Sequence, residues 1–167
     1  MFPPNPLRGL PNTICICRKM KILAPGPKMT VFYTDVEVRS CEEAVAARGV
    51  PLQNELKTIL YESAVGPFVV HVPGDMKIDQ RRVKMACGCK DIRPASAEML
   101  DKFGIERGTV SPFFEPIWSM SQYMSDELTT RRPLTTNSNS LTGYHFFEPE
   151  ELLVAPFILV GQYAKTA

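Results

Sequence analysis

Residues 55–61 constrain the fold most, because apolar and polar side chains alternate along them as in a half-buried β-strand. Lys57 shares one face of this predicted strand with Ile59 and Tyr61. Burying an unpaired ammonium costs several kcal/mol. A lysine among apolar neighbours therefore either extends its amine to water from the strand end or belongs to a functional site. The strand by itself leaves both interpretations open.

Turn and capping residues predict short helices and strands on both sides of this segment. Ser40 and Glu43 form a capping box for a helix that Gly49 ends. Asp79 and Ser96 are predicted to cap two more helices, which end near residues 85 and 104. The other predicted elements are strands at 68–72, 90–93, 134–136, 144–147 and 156–163, an extended piece at 117–119, and helical turns at 125–128 and 148–152. Strands outnumber helices and short turns join them, so the predicted class is α+β with a mixed β-sheet.

The chain of 167 residues suits one domain with an N-terminal extension. Residues 1–28 contain six prolines, five basic residues and no acidic residue, which predicts a flexible basic extension. The single domain is predicted at residues 29–167, and Met29 could be the natural start. That domain has 14 basic and 18 acidic residues, so a basic surface suited to phosphates is expected only in the extension.

The cysteines and the apolar runs bear on the compartment. The number of cysteines is odd, no secretory signal is recognisable, and no run approaches the ~20 apolar residues of a membrane span. We therefore expect a reduced, cytoplasmic protein without a membrane partner. The pairs Cys15/Cys17 and Cys87/Cys89 are spaced more closely than the usual Cys-x₂₋₄-Cys of zinc sites, so we expect no metal site.

Standard catalytic motifs are missing from the sequence. It contains no Gly-x-Ser-x-Gly, Gly-x₄-Gly-Lys-Ser/Thr, His-Glu-x-x-His or Gly-x-Gly-x-x-Gly motif. Its two histidines, His71 and His145, lie in apolar segments and are interpreted as structural. A serine hydrolase triad or a zinc hydrolase is therefore not expected.

Several short motifs follow one another along the chain from about residue 31 to the C-terminus. They are Gly49-Val50-Pro51, Lys57-Thr58, Val70 to Asp75, Ile78-Asp79, Ala95 to Glu98, and Gly104 with Gly108-x-x-Ser111-Pro112. Each motif is weak alone, but a Lys-Thr pair after a Gly-Val-Pro helix stop, followed by Gly-x-x-Ser-Pro, is specific as a set. Together they resemble the YbaK/prolyl-tRNA-synthetase-associated editing domains.

The resemblance implies a mixed sheet curled into a partial barrel, surrounded by short helices. It also implies hydrolysis of the ester that joins a wrong amino acid to the 3′ end of tRNA. By this resemblance Lys57 is the essential side chain of the pocket, and the loop from Gly108 to Pro112 forms the wall that contacts the amino acid. The resemblance also implies that the ribose hydroxyl of the substrate assists hydrolysis, without a cofactor or a metal. The substrate-binding residues implied are Thr58, Gly108, Val110, Ser111, Pro112, Phe113, Asn137, Ser138 and Asn139.

The late hairpin departs from the family pattern. Where the family has a glycine-rich turn, this chain has Asn137-Ser138-Asn139-Ser140. Asn and Ser tolerate turn geometry but fill space that glycine leaves open. The change predicts altered substrate choice or lost activity.

Three functions follow as hypotheses from these features. The first is a free-standing aminoacyl-tRNA deacylase, for which Val110, Ser111 and Phe113 suggest a small or medium amino acid such as alanine, cysteine or serine. The second is a non-catalytic module that binds tRNA or aminoacyl-tRNA. The third is an interaction protein that acts through its basic extension. The expected partner is the aminoacylated 3′ end of tRNA, and an aminoacyl-tRNA synthetase is a second candidate.

Overall fold

A computed structural model of the protein describes residues 27–167. Most of the predicted N-terminal extension, residues 1–26, lies outside the described residues. The helices are α1 (Cys41–Arg48), α2 (Gln80–Cys87), α3 (Ala97–Lys102), α4 (Glu115–Trp118) and α5 (Pro149–Leu153), with 3₁₀ turns at Leu52–Asn54 and Asp126–Thr130. The strands are β1 (Phe32–Tyr33), β2 (Leu56–Ser63), β3 (Phe68–Pro73), β4 (Met76–Ile78), β5 (Ile92–Pro94), β6 (Ser121–Ser125), β7 (Leu134–Asn137), β8 (Gly143–Phe147), β9 (Ile158–Gly161) and β10 (Ala164–Thr166).

The largest sheet has five strands in the order β5-β2-β3-β6-β9. Strand β2 is antiparallel to β3 and β5, whereas β3, β6 and β9 run parallel to one another. The predicted α+β class with a mixed sheet is thus confirmed. Strand β3 is buried along its whole length because β2 and β6 flank it and side chains cover both of its faces.

Two smaller sheets complete the strand pairing. One has the order β1-β8-β7, and it contains the predicted hairpin, with Leu134 opposite Phe147. The other pairs β10 with β4. A single parallel bridge between Glu55 and Thr135 joins the hairpin to the start of β2. The hairpin therefore stands beside the N-terminal end of β2.

The capping residues act as predicted at α1, with one difference. The Ser40 hydroxyl accepts a hydrogen bond from the Glu43 N–H at 3.1 Å, and Gly49 ends the helix with a left-handed φ of +69°. The Glu43 carboxylate accepts from the N–H of Arg39 rather than from that of Ser40, at 2.6 Å. The box is therefore shifted by one residue on its carboxylate side, yet it still fixes the start of the helix.

One local prediction is wrong, and one strand of the largest sheet was not predicted. The extended piece expected at residues 117–119 is wrong, because the Phe114 carbonyl accepts from the N–H groups of Ile117 and Trp118, both at 2.8 Å, and residues Glu115–Trp118 form a helical turn. Strand β6, near the middle of the sheet, was not predicted. Its residue Gln122 is polar but fully buried, and this hides the apolar pattern expected of a central strand.

Candidate functional site

A cavity of about 720 Å³ lies along the edge of β2 that faces away from β3. Strand β5 covers this edge only at Tyr61–Ser63, and β7 meets it only at the bridge from Glu55. Within residues 27–167 no strand pairs with the edge between these two points. The cavity is large enough for a small ligand or the end of a larger one.

Side chains on one face of β2 form an apolar floor for the cavity. Leu56 and Leu60 are buried there, and α3 and the segment that follows it contribute Leu100, Ile105 and Val110. Leu60, Leu100 and Ile105 belong to one buried cluster, against which Val110 packs. These residues form one apolar surface, called the apolar wall below, which suits an apolar group of a ligand.

Lys57 brings a positive charge to the same cavity from the opposite face of β2. Its side chain is half-buried, and Nζ donates to the main-chain carbonyl of Met76 at 2.7 Å. In the part of the chain that the structure describes, no carboxylate lies within ion-pair distance of Nζ. Because an ammonium has three N–H groups, this arrangement leaves donors for a ligand.

Cys41, at the start of α1, also lines the cavity but is a poor nucleophile. Burial raises the pKa of its thiol to about 11, and the nearby charge of Lys57 only partly opposes this shift. The thiol is therefore protonated at neutral pH, and a thiol is far less nucleophilic than a thiolate.

A buried polar network holds the loop that borders the cavity. The Arg48 guanidinium donates to Glu55 at 2.6 Å and to the Thr135 hydroxyl at 3.2 Å, and it also donates to the side-chain oxygen of Asn137. The side-chain nitrogen of Asn137 donates to the Gly108 carbonyl at 2.6 Å. Gly108 has a left-handed φ of +88°, which favours glycine. Arg48 thus fixes Asn137, and Asn137 fixes the Gly108 loop.

A second buried chain of hydrogen bonds begins at Thr58 on the cavity floor. The side-chain nitrogen of Gln122 donates to two carbonyls of the α4 turn, at 3.4 and 3.2 Å, so its oxygen accepts from His71 Nε2 at 2.7 Å. His71 Nδ1 is then an acceptor, and the Thr58 hydroxyl donates to it at 2.9 Å. Burial lowers the pKa of His71 to about 4, so the imidazole is neutral at neutral pH.

The structure divides the ten predicted site residues between two places. Lys57, Thr58, Gly108, Val110 and Asn137 line the large cavity. The others except Pro112 line a smaller cavity of about 260 Å³, and Pro112 is buried and lines neither. The residues of the smaller cavity are Ser111, Phe113, Ser138 and Asn139.

The hairpin turn contains one residue in the left-handed conformation that glycine favours. Asn139 has a left-handed φ of +61°, and its side chain donates to the Gly104 carbonyl at 3.4 Å. Ser138 N–H donates to the Gly143 carbonyl at 3.0 Å, and a Cβ added to Gly143 would overlap the Ser138 hydroxyl. The turn is therefore packed closely against its own strands.

Sequence reasoning missed Arg48, His71 and Gln122 as parts of the site's support. The partners of Arg48 in the hairpin lie 87 and 89 residues away in the chain, and Gln122 lies 51 residues from His71. No local pattern contains these pairings. The sequence offered one indication of the buried network: Arg48 and Glu55 have opposite charges and lie on either side of the Gly49-Val50-Pro51 helix stop, and they form an ion pair.

The described residues contain no cluster of three or more histidine, cysteine, aspartate or glutamate side chains arranged to hold a metal ion. Among the helices of residues 27–167, none combines the length and the apolar character of a membrane span.

Comparisons with known proteins point to one family. The sequence profile of the aminoacyl-tRNA editing domain matches residues 35–154. Proline–tRNA ligase 1 of Anaeromyxobacter dehalogenans (strain 2CP-C) is 26% identical over 141 residues, which cover 80% of this chain and 24% of the ligase. The chain thus spans about a quarter of the length of that relative.

Two solved structures share the fold. One is described as a candidate trans-editing enzyme for prolyl tRNA synthetase; it has a TM-score of 0.75 at 19% identity, over 82% of this chain and 87% of that one. The other is the hypothetical protein APE2540, with a TM-score of 0.75 at 22% identity, over 89% of this chain and 99% of that one. The family match covers well over half of the sequence and includes the cavity, Lys57 and the Gly108 loop. The chain belongs to the aminoacyl-tRNA editing domain family.

Proposed function

We propose that the protein is an aminoacyl-tRNA deacylase that hydrolyses mischarged tRNA in trans, in the cytoplasm. The observation that carries this proposal is Lys57, which brings a half-buried ammonium with free donors into a 720 Å³ cavity that also has an apolar wall. An aminoacyl ester presents both an apolar side chain and oxygens that such an ammonium can bind. Family membership and the fold shared with a candidate trans-editing enzyme support the same reaction.

In this mechanism the protein orients an ester that is already reactive. Lys57 would bind the terminal phosphate or the negative charge that develops on the ester oxygen, because a lysine acts as a compact point charge. The ribose hydroxyl of the substrate would activate the attacking water. This assignment agrees with the protonated thiol of Cys41 and with the complete burial of His71, neither of which is suited to attack the ester.

The amino-acid side chain would contact Leu100, Ile105 and Val110 in this arrangement. Of the residues that suggest a small or medium side chain, Val110 lies on this wall, whereas Ser111 and Phe113 line the smaller cavity. Since one methylene in an apolar pocket is worth only about 1–3 kcal/mol, we expect a preference among amino acids rather than strict selection.

The alternative is a non-catalytic module that binds aminoacyl-tRNA. Ser138 and Asn139 favour it, because they stand where the family has a glycine turn and add side chains to the lining of the smaller cavity. The donors that remain free on Lys57 favour the enzyme.

The deciding experiment measures deacylation of a panel of mischarged tRNAs by the purified protein. The enzyme should hydrolyse at least one member, with alanyl-, cysteinyl- or seryl-tRNA expected among the best substrates. Filter binding of the same tRNAs, charged and uncharged, is measured in parallel. Binding without hydrolysis of any member would select the module instead.

A further inference from the structure

The main chain of Thr58 points into the large cavity. The Glu55 carbonyl accepts from the N–H of Gly74, so the main-chain groups of Glu55 face β3. The carbonyls of Leu56 and Leu60 accept from the Thr136 hydroxyl and the Ala95 N–H, both on the other side of the strand. Since the direction alternates along a strand, the N–H and C=O of Thr58 face the same side as those of Leu56 and Leu60.

The pairing of Thr58 with His71 agrees with this orientation. The two residues lie directly opposite each other on β2 and β3. An antiparallel pair that exchanges no main-chain hydrogen bonds brings its side chains closest together, and here the Thr58 hydroxyl reaches His71 at 2.9 Å. That bond also holds the Thr58 side chain on the cavity floor and away from the strand edge.

We propose that Thr58 binds the aminoacyl group of the substrate as if that group were one residue of an added antiparallel strand. The α-ammonium donates to the Thr58 carbonyl, and the Thr58 N–H donates to the carbonyl oxygen of the ester. This deepens the proposed function and rests on it. Pairing of an extended ligand with a free sheet edge is a common mode of peptide recognition.

The geometry of such a pair determines where the substrate's side chain goes. Residues directly opposite each other in a sheet place their side chains on the same face. An L-amino acid opposite Thr58 therefore directs its side chain to the face of Leu56 and Leu60, which is the apolar wall completed by Val110. A D-amino acid would direct it to the opposite face, where Lys57 lies.

The pair also gives the Thr58 N–H a part in the reaction. This donor would bind the oxygen on which negative charge develops during ester hydrolysis, and fixed main-chain donors at such an oxygen are strongly stabilising. Lys57, on the other face, is then left for the phosphate or ribose end of the substrate.

The first test measures binding of adenosine analogues that carry the acyl group on a 3′-amide, which resists hydrolysis. Three acyl groups are compared by calorimetry: L-alanyl, D-alanyl and propionyl, the last of which lacks the amine. We expect the L-alanyl analogue to bind about 10–100-fold more tightly than the propionyl analogue, as for loss of a hydrogen bond to a charged group. It should bind about 4-fold more tightly than the D-alanyl analogue, as for one methyl group removed from the apolar wall. Equal affinity for L-alanyl and propionyl, equal affinity for the two enantiomers, or no binding of any analogue would overturn the proposal.

The second test removes the N–H itself. Thr58→Pro deletes a donor that faces the open edge, a position at which strands tolerate proline. Thr58→Val is the matched control, because it removes the hydroxyl and keeps the N–H. The Pro variant should bind the L-alanyl analogue about 10-fold more weakly than the Val variant, and equal affinities would contradict the proposal. If the Pro variant does not fold, the analogue series decides.

Deacylation of the same panel of mischarged tRNAs, alanyl-tRNA among them, is assayed with these protein samples. If binding of the analogue depends on the amine but no charged tRNA is hydrolysed, the Thr58 pairing is supported and the proposed deacylase activity is contradicted. Hydrolysis with no dependence of binding on the amine would support the enzyme and overturn the pairing.

Discussion

Arg48 and Lys57 lie on either side of the entry to β2, and their surroundings are opposite. The Arg48 side chain is 1% exposed and pairs with Glu55, Thr135 and Asn137, while its guanidinium also lies 4.9 Å from the centre of the Tyr144 ring. Lys57 is half-buried, and within residues 27–167 its ammonium donates one hydrogen bond, to the main-chain carbonyl of Met76. In the described part of the chain, Arg48 is paired within the fold, with only its buried Nε left without a partner, whereas Lys57 keeps N–H donors for a ligand.

The difference shows how to tell a structural cation from a candidate functional one. Burying a charge is tolerated when partners fully compensate it, and removing one partner then costs far more than the pair contributes. A charge with few partners beside a cavity contributes little to stability and remains available to a ligand. Burial alone would have selected Arg48, whereas the lack of a carboxylate partner selects Lys57.

The largest expected effect on stability is at Arg48. Arg48→Ala leaves the Glu55 carboxylate buried without its counter-ion, so we expect the free energy of unfolding to fall by about 3–5 kcal/mol. Lys57→Ala should lower it by less than about 1 kcal/mol, because it removes one half-buried hydrogen bond. Urea denaturation of both variants measures the contrast, and equal losses would break the distinction between the two cations.

A neutral group at the site, His71, should make stability depend on pH. Burial lowers its pKa to about 4, whereas the unfolded chain binds this proton with an ordinary pKa of about 6.5. Since the unfolded state binds the proton first, stability is complete above about pH 6.5 and decreases as the pH falls toward 4, by about 3 kcal/mol. His71→Leu should lack this component, and parallel pH profiles of parent and variant would contradict the burial of a neutral imidazole.

Asn137 connects the structural cation to the Gly108 loop, and its two hydrogen bonds can be separated. Asn137→Asp keeps an acceptor for Arg48 but loses the donor to the Gly108 carbonyl. We expect deacylation to fall about 10-fold, while the free energy of unfolding changes by less than about 1 kcal/mol. Asn137→Ala loses both bonds and should also be less stable. Full activity of the Asp variant would mean that the loop needs no anchor.

The smallest effect is expected at the hairpin turn. The double change Ser138→Gly, Asn139→Gly should loosen the turn by about 0.5–1 kcal/mol per glycine. It should raise or broaden deacylation if the turn contacts the terminal adenosine, because it removes side chains where the family has glycine. Turnover on several mischarged tRNAs is compared at matched folded fraction. Unchanged activity and specificity would place this turn outside the site.

The parts of the fold that depend on neighbours in sequence could be predicted. Ser40 and Gly49 mark α1 because capping and left-handed geometry need particular residue types within a few positions. The alternation around Lys57 marks β2 for the same reason. Strand β6 could not be found in this way, because Gln122 is polar and is buried only through its contact with a histidine 51 residues earlier.

The candidate site shows the same division between residues that short motifs indicate and features that depend on distant parts of the chain. Lys57, Thr58 and the Gly108 loop could be picked out from short motifs, and the structure brings them to one cavity. The open edge of β2 could not be predicted, because it depends on where β5 and β7 stop covering that strand. The burial of Arg48 could not be predicted either, because Thr135 and Asn137, its partners in the hairpin, are distant in sequence.

The most direct test is the deacylation rate of Lys57→Ala on the best mischarged tRNA, measured at a protein concentration corrected for the folded fraction. The account predicts a loss in kcat/KM of about 100-fold or more, because Lys57 positions the phosphate or ribose end of the substrate for hydrolysis, in a variant that still unfolds cooperatively. Activity equal to that of the parent protein would contradict the assignment of Lys57 as the catalytic residue.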